Sequence, residues 1–70
     1  MILKNHMLVI FKPGECFRSM TNSPPLQRVL ELHRKDNKIT EVEVYKLSGV
    51  TKDYEYVCTI KFDRGLLLHG

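Results

Sequence analysis

The chain has no tryptophan, only two cysteines, and four glycines that are never neighbours. Without a glycine cluster there is no loop of the kind that cradles phosphates. Cys16 and Cys58 lie far apart and form no CxxC pair. That spacing fits neither a disulfide-dense secreted scaffold nor a zinc motif. Both are expected as reduced thiols, at least one of them in the core. No apolar run approaches the roughly 18 residues of a membrane span. The N-terminal segment "MILKNHMLVIFKPGE" has one short apolar stretch, Met7 to Phe11, closed by Lys12, Pro13 and Gly14. It lacks the longer apolar region and small-residue cleavage site of a secretory signal. The expectation is a cytoplasmic protein that makes no membrane contact.

Seventy residues bound the chain to one domain, 1–70. A chain of that size buries only about 60% of the surface its unfolded form exposes. Apolar residues make up 43% and charged residues 27%, which is a globular rather than a disordered mix. The net charge of +3 is mild, so a basic surface would need its charges segregated.

Met7 to Lys12, "MLVIFK", is apolar and β-branched without alternation, as in a strand buried on both faces. Residues 1–6 add little to it and are expected to be disordered, with Met7 a second candidate start. Residues 15 to 22, "ECFRSMTN", show no clean period and read as a loop whose Phe17 and Met20 cap the core. A helix follows, with Ser23 as N-cap and Pro24 at its first position. Leu26, Val29, Leu30 and His33 recur at helical spacing, and Leu32 widens that stripe. Glu31 stands four residues before Lys35, the favourable ion-pair order. Asn37 is suited to a left-handed stop.

Two alternating segments, "ITEVEVYKL" over 39–47 and "YEYVCTIKF" over 54–62, form an expected antiparallel hairpin. Register decides which side of the first is buried. Burying Glu41 and Glu43 without partners would cost several kcal/mol each. Val42 and Val44 are therefore placed under the helix, opposite Tyr56 and Cys58. The outer face then carries Glu41, Glu43, Tyr45, Glu55, Val57, Thr59 and Lys61. "DRG" at 63–65 reads as a tight turn around Gly65, and "LLLH" at 66–69 as an optional further strand. The fold class is α+β. It is a small antiparallel sheet of three to four strands, in order β-α-β-β with or without a final β, and one helix packs on one face.

His6, His33 and His69 with Cys16 and Cys58 lack the close pairing of metal ligands. No metal or cofactor is expected. No nucleophile-base pair or acid-base constellation stands out, and so small a chain has little room for a substrate pocket. Glu41 and Glu43, about 7 Å apart on a strand, are more simply a solvated face than a catalytic pair. The expected function is non-enzymatic. It is docking on a protein partner, as an inhibitor or regulator docks, through Glu41, Glu43, Tyr45, Glu55 and Val57. The alternative is a nucleic-acid-binding module using Arg28, Arg34, Lys35 and Lys38 on the helix's polar side. Glu31 interrupts that group, and such a charge run is otherwise an ordinary solvated face. Leu66, Leu67 and Leu68 would serve a homodimer if the last strand does not form. The build, short and without a motif, is that of small accessory proteins of phages and other mobile elements.

Overall fold

The computed structural model describes residues 4–63 and 66–69. Its elements are β1 (His6–Lys12), β2 (Glu15–Thr21), α1 (Pro25–Lys35), β3 (Glu41–Leu47), β4 (Tyr54–Asp63) and β5 (Leu66–His69). The strands form one antiparallel sheet in the order β2-β1-β3-β4-β5. The α+β class and the single helix on one face are as the sequence indicates, and the final strand at 66–69 forms. Arg64 and Gly65 of the expected tight turn lie outside the described residues, as do residues 1–3 of the expected disordered segment. Lys4 and Asn5 are tied to the fold: Tyr54 Oη donates to the Lys4 carbonyl at 2.6 Å, and Leu47 N–H to the Asn5 carbonyl at 2.9 Å.

Residues 15–21 are not a loop but strand β2, joined to β1 by Pro13-Gly14. Gly14 has φ +76°, the left-handed value that the second central residue of a type II turn needs. β2 is an edge strand with exposed residues on both faces. Nothing selects one side of it, so its sequence carries no period. Its Phe17 stands opposite Ile10 on the helix side, while Met20 stands opposite Met7 on the other.

The helix starts one residue later than expected. Pro24 precedes Pro25, and a residue before proline is pushed out of the helical region. Pro24 is accordingly the N-cap, with φ −54° and ψ 130°, and Pro25 takes the first position. At the other end Asp36 is extended and donates its N–H to the Leu32 carbonyl. Among the described residues Lys52 is the one non-glycine with positive φ, so Asn37 does not supply a left-handed stop. The stop is made by Asp36, whose carboxylate accepts from Lys38 N–H at 3.1 Å and pairs with Lys12 of β1. Glu31 pairs with Arg28 at 3.2 Å rather than with Lys35.

Leu8, Ile10, Val29, Ile39, Val42, Val44 and Ile60 form the core, with Leu32, Cys58 and Phe62 packed against it. Val42 and Val44 face the helix, as the carboxylate argument requires. Ile39 precedes β3 and is buried with the core. Tyr56 is not in the core. Val44 stands opposite Cys58 and Tyr45 opposite Tyr56, so Val57 is an unpaired extra residue. This bulge resets the alternation of β4 and turns Tyr56 to the side of the sheet away from the helix, where it is 57% exposed.

Candidate functional site

Among the described residues no other element covers the sheet face away from the helix. Cross-strand register arranges β2, β1, β3 and β4 there in three four-residue rows, with the pair Leu47 and Tyr54 beyond them. Met20, Met7, Tyr45 and Tyr56 form the first, Arg18, Val9, Glu43 and Thr59 the second, and Cys16, Phe11, Glu41 and Lys61 the third. The first row is apolar and aromatic from edge to edge. The other two carry a cation, a carboxylate or both beside the apolar side chains of β1.

Tyr45 and Tyr56 meet edge to face, with ring centroids 5.7 Å apart and planes at 75°. Such a pair is worth about 0.5–1.5 kcal/mol beyond its buried area. It also holds two large rings in fixed positions. Tyr45 Oη donates to Glu43 Oε1 at 3.2 Å. Partial burial first, and then the adjacent Glu43 carboxylate, push the Tyr45 hydroxyl above its ordinary pKa. Tyr56 Oη lies 2.6 Å from Thr59 Oγ1. Neither ring can swing away without losing a hydrogen bond, so the pair forms a stiff aromatic ridge with carboxylates beside it.

Three of the five residues expected to bind a protein partner are therefore together: Glu41, Glu43 and Tyr45. The bulge separates the other two. Glu55 stands opposite Lys46, on the face that carries Val42 and Val44. Val57 is the bulge residue itself. Glu55 and Val57 instead line an open depression of about 330 Å³ at the end of the β3–β4 hairpin, with Lys46, Leu47, Ser48, Gly49 and Tyr56. Tyr56, Arg18 and Met20 join the outer face unforeseen, as do the outward residues of β1. The signal for the last was in "MLVIFK", which is apolar on both sides, while one helix can cover only one.

The basic residues of the helix divide in the same way. Arg28 is engaged by Glu31. Gln27 Nε2 donates to the same carboxylate at 3.3 Å, and these two contacts hold Glu31 below the ordinary carboxylate range. Arg34, Lys35 and Lys38 are exposed and, among the described residues, enter no salt bridge. Cys16 is exposed on the outer face, and Cys58 is partly buried against the core. Among the described residues no group of three or more His, Cys, Asp or Glu side chains is placed to hold a metal ion. Among the described residues no helix is long and apolar enough to cross a membrane. Compared with protein-family models, curated proteins and solved structures, the chain matches none.

Proposed function

We propose that the protein is a small non-enzymatic docking module. Its uncovered sheet face engages another protein, as an inhibitor or regulator would, in the manner of the accessory proteins of mobile elements. The Tyr45–Tyr56 ridge carries this reading. Interface hot spots are rigid aromatic side chains that are desolvated on contact, ringed by polar groups that orient the partner. Tyr45 and Tyr56 supply the centre, with Met7 and Met20 in the same row. Glu41 and Glu43 supply the orienting charge, and they would raise the association rate toward a basic partner. The test is capture from lysate by the tagged protein, with and without nuclease, beside the triple variant Glu41→Lys, Glu43→Lys, Tyr45→Ala. A protein retained by the wild type after nuclease, and lost by a folded variant, supports the face. Equal capture by both refutes it.

The nucleic-acid reading keeps one favourable observation, the exposed Arg34 and Lys35 in the helix's last turn and Lys38 just beyond it, which enter no salt bridge among the described residues. Each phosphate contact they make adds close to one unit to the slope of log K against log salt. Retention that vanishes on nuclease treatment and falls steeply with salt would move the function to that face.

A further inference from the structure

We infer that the occupant of the uncovered sheet face is a second copy of this chain, packed face to face about a two-fold axis running along β1. This rests on the docking reading and names its partner.

The second row is charge-complementary about that strand, while in the third the half-turn sets Glu41 against Cys16 of the second copy. At the level of Val9, Arg18 stands on one side on β2 and Glu43 on the other on β3. Among the described residues neither enters a salt bridge. A half-turn about β1 leaves β1 over β1 and exchanges β2 with β3. Arg18 then faces Glu43 of the second copy, and Glu43 faces its Arg18, giving two ion pairs. Between them lie Met7, Val9 and Phe11, the outward residues of β1, each against its own counterpart. Those three are half-buried apolar side chains on a strand whose sequence is that of one covered on both faces. In the next row Met20 comes over the Tyr45 ring of the second copy, a favourable sulfur–aromatic contact.

Two other axes fail on charge. An axis along β3 sets Glu41 against Glu41 and Glu43 against Glu43. An axis across the strands at Val9 sets Arg18 against Arg18. Stacked sheets lie about 10 Å apart, a gap that arginine and glutamate side chains span together. Three superposed strands of seven residues give roughly 330 Å² of projected contact per copy, from a strand spacing of about 4.8 Å and a rise of about 3.3 Å. That is a small interface, and its dimer is weak and concentration-dependent.

The test is sedimentation equilibrium on the wild type, Arg18→Glu, Glu43→Arg and an equimolar mixture of the two variants. The wild type should dimerise below roughly millimolar concentration. Each reversal turns two attractions into two repulsions and should weaken the dimer at least about a hundredfold. The mixture should recover it, because each variant then meets its complement. Glu43 also accepts from Tyr45 Oη, so a second measurement uses the wild type alone. Isotope-filtered NOEs between labelled and unlabelled copies should appear at Met7, Val9 and Phe11. A monomer at millimolar concentration, reversals without effect, a mixture that stays monomeric, or intermolecular NOEs confined to another surface each overturn the proposal. Capture of a different protein by a monomeric wild type, abolished in the Glu41/Glu43/Tyr45 variant, overturns self-pairing and leaves the docking reading standing. Capture unchanged in that variant, with no self-association, overturns both.

Discussion

Deleting Val57 should leave the sheet intact, whereas deleting Glu43 should unfold it. Val57 is the residue of β4 without an opposite number, since Val44 pairs with Cys58 and Tyr45 with Tyr56. Once it is removed, Tyr56 and Cys58 become neighbours on opposite faces, as a regular strand requires, and the pairs of β3 with β4 are unchanged. The lost side chain is 54% exposed, so the change in stability should stay within about 1 kcal/mol. Deleting Glu43 shifts the alternation of β3, which pairs with β1 without a spare residue to absorb the change. Val42 or Val44, 0% and 2% exposed, then turns outward, at about 1.5–3 kcal/mol. Glu41 or Tyr45 turns into the core in its place, and an unpaired buried carboxylate or hydroxyl adds several kcal/mol more. The sum reaches the whole stability of a small domain, about 5 kcal/mol or more. Urea denaturation followed by circular dichroism measures both variants. The Tyr45–Tyr56 contact is read in the Val57 deletion from ring NOEs. A loss above about 3 kcal/mol on deleting Val57 would refute the bulge and with it the outward placement of Tyr56, and a Glu43 deletion as stable as the wild type would refute the regular register of β3.

Two further expectations concern the helix side. The His33 ring stacks on Phe62 at 3.9 Å with planes 6° apart, and its Nε2 is buried without a hydrogen-bond partner. Replacing His33 with Leu keeps apolar contact and removes the orphaned nitrogen, so the urea midpoint should stay or rise, by up to about 1 kcal/mol; a clear fall would mean that a buried water satisfies Nε2. The Lys12–Asp36 pair gives a pH signature. The hydrogen bond from Lys12 and the N–H of Lys38 hold the Asp36 carboxyl below its ordinary range, and Asp36 holds the Lys12 ammonium above its own. A lowered acid contributes stability that is full above its unfolded value of about 3.9 and lost as pH falls through the folded value, while a raised lysine contributes below about 10.4 and loses it as pH rises further. The advantage of wild type over Asp36→Asn should therefore be flat from about pH 5 to about pH 9 and narrow beyond either limit. An advantage that grows in acid would refute the pairing.

What could be read in the sequence divides by whether a residue has neighbours that constrain it. Val42 and Val44 were legible because their alternation with Glu41 and Glu43 allows one inexpensive orientation. The helix was legible from its spacing. Its start was displaced by a purely local effect, one proline placed before another. β2 was invisible because an edge strand with both faces wet needs no pattern. The bulge at Val57 was the consequential miss. "YEYVCTIKF" alternates without a break, and only pairing with β3 shows that Tyr56 and Cys58 lie on opposite faces. That one unpaired residue carried Tyr56 onto the candidate face and Glu55 off it. Glu41, Glu43 and Tyr45 stayed, because β3 is regular.

The uncovered face also bears on how this small fold is held together. Its core is a thin layer between one helix and one side of the sheet, and on the other side Met7, Val9 and Phe11 remain half-exposed. Covering them would add apolar burial at about 25 cal/mol per Å² to a chain whose size gives it little in reserve. Whatever docks there binds the folded chain and not the unfolded one. It stabilises the fold by RT ln(1 + [L]/Kd), about 2.7 kcal/mol at a hundredfold excess over Kd. Docking as proposed would therefore be coupled to folding. A polar substitution at Val9 should leave the isolated fold almost unchanged and remove the stabilisation by the partner, whereas the same substitution at Ile10, one residue along and fully buried, should destabilise the fold itself. Under the docking proposal the two faces of β1 would separate function from stability between adjacent residues.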